Sequence, residues 1–352
     1  MKQYWQLSLI ILCFVSACNS PAIQTKTGND TTALKPVVVT DTVFEDSDDP
    51  AIWINKNDLS KSLIIGTDKS NENGGLYVFD LNGKINKELS VTGLRRMNNV
   101  DIAYGLSFNN SKVDIAVATE RGTNSIRVFS LPEMKPLDGG GIEVFENDTA
   151  RAPMGIALYT RPTDGKIFAI VSRKPGPAQN YLQQYLLHDD GNRKVVGDLV
   201  RSFGAYSGRK EIESVAVDNE LGYVYYSDEQ TGIRKYYADP EKGNEELALF
   251  GQGEFKEDNE GISIYKLTDS TGYILVSDQS ANRFNIYPRE GNQHKQITSI
   301  AVSTNQSDGS DVTSISLPGF EGGLFVAMST NKTFQYYKWK DIAAKAGLKV
   351  KE

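Results

Sequence analysis

Cysteine and histidine are almost missing from this 352-residue chain, which has two of each. Cys13 and Cys18 both fall in the N-terminal segment. The remainder therefore has no disulfide and no thiol ligand for a metal. His188 and His294 lie far apart with no carboxylate pattern around them, which argues against a histidine zinc site and against a histidine nucleophile. Both read as ordinary surface residues. A basic surplus is also lacking: the net charge is −7, so a nucleic-acid partner is not expected. Neither a Gly-x-Ser-x-Gly elbow nor a phosphate-binding P-loop occurs, which leaves metal-activated water as the simplest hydrolytic route.

Long hydrophobic runs are missing as well. The apolar stretch from Leu7 to Val15 is too short to span a bilayer comfortably, and Ser16 and Ala17 follow it as at a signal cleavage site. Val15-Ser16-Ala17-Cys18 has the form of a bacterial lipoprotein box, in which the cysteine is acylated. Residues 1–18 are thus expected to be a lipoprotein signal peptide and residues 19–35, rich in Thr and Asn, a flexible tether. Residues 36–352 are expected to form one domain. The chain is expected to be exported, a monomer, and bound to a cell-envelope membrane only through lipid on Cys18.

What is abundant is β-forming sequence: 17 Tyr, 14 Phe and 31 Gly suit short strands joined by tight turns. A unit repeats along the body, each copy opening with a polar cluster and a short apolar strand. A second apolar strand ends in polar residues, and an aromatic-rich third strand follows. The second strands end at Lys69, Arg121, Lys174, Glu229, Gln279 and Asn331, spaced by 52, 53, 55, 50 and 52 residues. A period of that size filled with short strands indicates an all-β, six-bladed β-propeller. Ile85 to Val91, after the Asn82-Gly83 turn, is the expected fourth strand of the first blade. The last unit runs instead into a short helix near Asp341. Its missing outer strand is expected to be the run Val37 to Thr42, closing the ring with the N-terminus.

First strands begin and second strands end at the same rim, so both sets of residues gather on one face. Lys69, Arg121 and Lys174 form a basic arc there. Glu229 and Gln279 face it, together with the strand-start residues Asp48, Asp49, Asn99, Asp101, Glu213, Asp258, Glu260 and Asp311. The basic arc suits phosphate oxygens, and the hard oxygen donors suit calcium rather than zinc or copper. The bland alternatives are that charges end strands because the ends are solvated, and that turn carboxylates cap backbone amides.

At these same residues the sequence resembles the β-propeller phytases. The likeness is carried by Asp48-Asp49-Pro50-Ala51-Ile52-Trp53, by Asn98-Asn99-Val100-Asp101-Ile102 with Tyr104-Gly105, by Asp258-Asn259-Glu260-Gly261 and by Trp339. The resemblance covers roughly residues 40 to 345. It implies a calcium-dependent phosphohydrolase of 3-phytase type acting on myo-inositol hexakisphosphate (phytate), with several calcium ions in the channel mouth. By position it implies Asp48, Glu213, Glu229 and Glu260 as ligands of catalytic calcium. Asp49, Asn99, Asp101, Asp258, Gln279 and Asp308 would serve structural or additional calcium, with Asp311 in the same loop as Asp308, and Lys69, Arg121 and Lys174 would grip phosphates.

Four positions depart from the family pattern. Met154, Pro175, Thr313 and Ala103 stand where a tyrosine, a glutamate, an aspartate and an arginine are usual. Each is expected to remove a calcium or phosphate contact. Two alternatives therefore stay open: a propeller that binds a phosphorylated ligand or partner without turnover, and a calcium-propeller hydrolase of another class, such as a lactonase or phosphodiesterase.

Overall fold

The computed structural model describes Met1 and residues 32–352. Cys18, the rest of the expected signal and most of the tether lie outside the described residues. Among the described residues, twenty-four strands form six antiparallel four-stranded sheets. The chain is a six-bladed β-propeller. The innermost strands are Ser47–Trp53, Met97–Phe108, Pro153–Thr160, Val215–Asp218, Asn259–Lys266 and Ser310–Thr313.

Second strands are buried because blades cover both of their faces. Leu63–Asp68, Ile167–Arg173, Gly272–Asp278 and Leu324–Ser329 are buried at every residue. A strand covered on two sides reads as a continuous apolar run rather than an alternation. The core is correspondingly divided. Each of six apolar clusters joins one blade to the next, and the cluster of Ile52, Ile64, Phe79, Val326 and Tyr336 joins the last blade to the first.

The N-terminal strand closes that last interface. Val38–Val39 forms the outer strand of the sixth blade, with Val38 opposite Tyr336 and Val39 opposite Gln335. Thr40 N donates to Phe334 O at 3.0 Å, and Phe334 N donates to the Thr40 hydroxyl at 2.9 Å. Contacts begin earlier than residue 36: Leu34 N donates to Ala301 O, and Leu34 O accepts from Ser303 N. The closing helix is Trp339–Ala346, whose fully buried Trp339 stacks on Tyr265 at 3.7 Å between ring centroids.

Two expectations need correcting. The fourth strand of the first blade is Val91–Leu94, and Ile85 makes only a single bridge, to Phe79. The Asn86 side chain explains this, because it accepts from Glu88 N and Leu89 N and bends the chain into a turn. His294 is a buried residue rather than a surface one: its ring lies 4.4 Å from that of Phe250, its Nδ1 is 2.8 Å from Pro288 O, and burial lowers its pKa to about 4.

Thr40→Val keeps the shape of the closing strand but leaves the buried Phe334 N–H without an acceptor. Urea denaturation should show a loss of about 1–3 kcal/mol. An unchanged midpoint would mean that this hydrogen bond does not hold the ring closed.

Candidate active site

Four innermost strands carry one extra residue at the same rim. Ser47 pairs with Asp68 and Pro50 with Gly66; Met97 pairs with Glu120 and Val100 with Ala118. The same three-against-two step separates Pro153 from Ile156 and Asn259 from Ile262. Such bulges break the two-residue alternation and re-aim side chains. Asp48 and Asn98 consequently turn to the mouth, while Asp49 and Asn99 line the channel. The blades approach closely here. A Cβ on Gly155 would lie 2.0 Å from Glu213 O, so only glycine lets the third blade pack against the strand-start of the fourth.

At the mouth, a chain of polar contacts crosses the ring. Gln279 Nε2 donates to Asp308 Oδ1, and Lys69 Nζ reaches Asp308 Oδ2 at 2.7 Å and Asp48 Oδ1 at 2.9 Å. Asn98 Nδ2 then lies 3.2 Å from Asp48 Oδ2 and 2.9 Å from Glu213 Oε1. Carboxylate oxygens of Glu211, Glu213 and Glu229 lie within 4.8 Å of one another, as do those of Glu229, Asp258 and Glu260. Lys210 Nζ sits 2.8 Å from Glu229 Oε2 and 2.7 Å from Asp258 Oδ2, and Lys174 Nζ is 2.7 Å from Glu211 Oε2.

The half-buried Arg121 guanidinium has no carboxylate within ion-pairing distance among the described residues. Burial, with Arg96 nearby, lowers its pKa. It is the arc's unsatisfied cation.

The mouth holds more carboxylates than lysines, and several of them are buried. Burial raises the pKa values of Asp48, Glu213 and Glu260. It raises that of Glu229 to about 8, with Lys210 pulling the other way and Glu213 and Glu211 adding to the rise. At Lys69, burial disfavours the charge, but Asp48, Asp308 and Glu213 outweigh it and raise the pKa. Glu229 Oε1 and Glu260 Oε2 are buried without a hydrogen-bond partner. Buried carboxylate oxygens left without donors are costly, and an oxygen-seeking cation would satisfy them. The donor set fits a hard metal ion.

Asp49, Asp101 and Asp311 belong to a second ring, inside a channel cavity of about 220 Å³. Each accepts from the inner strand of the next blade: Asp311 from Ile52 N at 2.8 Å, Asp49 from Val100 N at 3.1 Å, and Asp101 from Leu158 N at 2.7 Å. They tie the sixth blade to the first, the first to the second and the second to the third. Burial raises Asp49 well above its ordinary value, Asp101 to about 6 and Asp311 to about 7. Thus Asp48, Glu213, Glu229, Asp258, Glu260, Gln279, Asp308, Lys69, Arg121 and Lys174 converge on the mouth, while Asp49, Asn99, Asp101 and Asp311 lie deeper.

Two of the departures are not losses at the mouth. Thr313 pairs with Leu324 at the far end of its strand and accepts from Ile315 N, and Ala103 is buried between the second and third blades. Met154 is also buried, and its carbonyl accepts from the Thr119 hydroxyl. Pro175 is exposed beside Lys174 at the rim. Sequence reasoning missed Lys210 and Glu211 and did not single out Asn98. The only signal was the spacing of Glu211 and Glu213, two residues apart just before a strand.

Residues 6–348 match the protein family described as Phytase. The chain belongs to the phytase family. A 3-phytase of Bacillus subtilis (strain 168) is 30% identical over 326 residues, covering 86% of this chain and 81% of the relative. Among solved structures, the Myceliophteria thermophila Cps50 (Swd1) β-propeller domain has a TM-score of 0.47 at 9% identity, covering 82% of each chain. The Dos1 propeller has a TM-score of 0.44 at 13% identity, covering 83% of this chain and 68% of that one. This family membership accords with a mouth that holds both basic side chains and clustered carboxylates.

The acidic cluster makes stability depend on pH in a definite direction. The folded-state pKa of Glu229, about 8, lies above the ordinary 4.5 of an unfolded chain. Its ionisation therefore opposes folding: the penalty is absent below the lower value, grows through the interval and is complete above the upper one. In the absence of divalent cations, Tm should rise as the pH is lowered from about 9 to about 6, and Glu229→Gln should flatten the profile. A wild-type Tm that falls over that interval would contradict this reading of the cluster.

Proposed function

We propose that this protein is a calcium-dependent phosphohydrolase of 3-phytase type that removes phosphate from myo-inositol hexakisphosphate. The observation that carries this reading is one opening that sets Lys69, Arg121 and Lys174 opposite Glu213, Glu229 and Glu260, with donor-less carboxylate oxygens between the blades. The phytase family and the 3-phytase relative support it. A substrate with phosphates around a small ring matches a mouth whose cations belong to successive blades.

The residues divide the work by chemistry. Arg121, without a carboxylate partner among the described residues, can fork across two oxygens of one phosphate. Lys174 is exposed and pairs with the largely buried Glu211, so its ammonium is the end of that pair that can turn toward a phosphate. Lys69 is the fixed point of the arc, held by Asp48 and Asp308. Asp48, Glu213, Glu229, Asp258 and Glu260 would hold divalent ions. Bound there, calcium would supply charge neutralisation and a water of lowered pKa. Hydrolysis then forms one P–O bond from water and breaks the P–O bond to the inositol oxygen, which leaves with a proton. Asn98 positions both Asp48 and Glu213 through one amide nitrogen. We place this activity outside the cytoplasm, on a chain anchored through Cys18.

The test is phosphate release from phytate and from an aryl phosphate, with calcium and with chelator, using the chain from Asn19 onward. Release should require calcium, and Glu213→Ala or Arg121→Ala should lower it at least ~100-fold, the usual scale for lost electrostatic stabilisation. Rates equal to wild type in both variants would remove the site from the reaction. A calcium-induced rise in Tm with no turnover would favour a propeller that only binds.

A further inference from the structure

The strongest unexplained feature of the mouth is a cation that the chain supplies itself. Lys210 lies on the loop that joins the outer strand Val195–Ala205 of the third blade to the inner strand Val215–Asp218 of the fourth. Its ammonium is 2.8 Å from Glu229 Oε2, 2.7 Å from Asp258 Oδ2 and 3.9 Å from Glu260 Oε1. These are the carboxylates whose oxygens lie within 4.8 Å of one another. The ammonium thus occupies the neighbourhood a metal ion would take.

It does not satisfy that neighbourhood. Three carboxylates present six oxygens, and an ammonium brings one charge and three donors. Glu229 Oε1 and Glu260 Oε2 remain without a donor although their side chains are 0% and 3% exposed. A divalent ion brings twice the charge and accepts six to eight oxygens, so it serves the trio better than the lysine does. The lysine can also leave. Its side chain is 36% exposed, whereas that of Lys69 is 17% exposed and bound on both sides. Withdrawing Lys210 toward solvent requires a side-chain rotation and no movement of a blade.

We propose that Lys210 is a tethered competitor for the divalent cation at Glu229, Asp258 and Glu260. Metal enters this position only by displacing the ammonium, so a side chain of the protein sets the cation concentration at which the position fills. In the metal-free state the same ammonium limits the repulsion among the carboxylates and preserves the fold. The inference rests on the metal-assisted reading of the mouth and adds a residue that regulates it.

The experiment is calorimetric titration of calcium into metal-stripped protein, paired with Tm in chelator and in excess calcium. The proteins are wild type, Lys210→Gln, Lys210→Met and the double variant Lys210→Gln/Glu260→Gln. Both single variants should bind calcium at least about tenfold more tightly than wild type, as expected for removal of a like charge from the site. In chelator they should melt below wild type, and in calcium that order should reverse. The double variant should lose the gain. Having two single variants, one of which keeps most of the apolar stem, guards against a substitution that fails to fold. Calcium binding by the single variants alone, with none by wild type, would also support the proposal. Equal or weaker binding by the variants, with wild type still binding, would overturn it and leave the metal reading intact. No binding by any of the proteins would overturn both. A gain that survives Glu260→Gln would place the competing site elsewhere and overturn the assignment.

Discussion

The hydrogen bonds between Val37–Thr40 and the strand Thr333–Lys338 join two stretches of chain almost 300 residues apart, and the mouth depends on them. A propeller has no central core. Its apolar surface is buried pairwise between blades, so the interface of the last blade with the first contributes burial only if the ring shuts. Asp308, which follows the fifth blade, meets Lys69 of the first across that seam. The same closure that stabilises the ring therefore puts a lysine of the first blade beside a carboxylate from the other end of the chain. Inside the channel, Asp311 repeats the connection by accepting from Ile52 N.

Two carboxylate layers follow from this arrangement, and their partners separate them. The deeper layer of Asp49, Asp101 and Asp311 is bonded to backbone N–H groups of neighbouring inner strands. It satisfies strand edges that would otherwise face an empty channel. The upper layer of Glu213, Glu229 and Glu260 has lysines and amides as partners, and some of its oxygens have none. Burial raises pKa values in both layers, yet of these carboxylates only upper-layer ones combine that with buried oxygens that accept no hydrogen bond. The two layers differ in who supplies the proton-bearing partner: backbone N–H groups below, side chains above.

The blade count, the ring closure by Val38–Val39 and the gathering of Lys69, Arg121, Lys174, Glu213 and Glu260 at one rim were legible because each follows from a period. Equivalent positions in a repeat occupy equivalent places, whatever the loops do. What escaped the sequence is local. The Asn86 turn displaced the fourth strand of the first blade, and a side-chain hydrogen bond of that kind leaves no hydrophobic pattern. Lys210 and Glu211 sit on a loop, where no periodicity marks them. Thr313 was misplaced by counting along a loop motif as though every polar position faced the mouth. It lies instead where its strand pairs with Leu324. His294 was misjudged because nothing in its neighbours announced the aromatic pocket formed by Phe250 and Tyr225.

The extra residue in four inner strands bears on how such a mouth can change over time. With one bulge at each of those rims, Asp48 and Asp49, like Asn98 and Asn99, serve two different layers from adjacent positions. Deleting one residue there would restore plain alternation and swing a channel side chain into the opening, or a ligand into the wall. Exchange of one side chain for another disturbs a single contact, whereas a change in chain length at the rim rewrites the facing of everything beyond it. Divergence among such mouths should thus proceed by substitution, with the spacing of the inner strands held fixed.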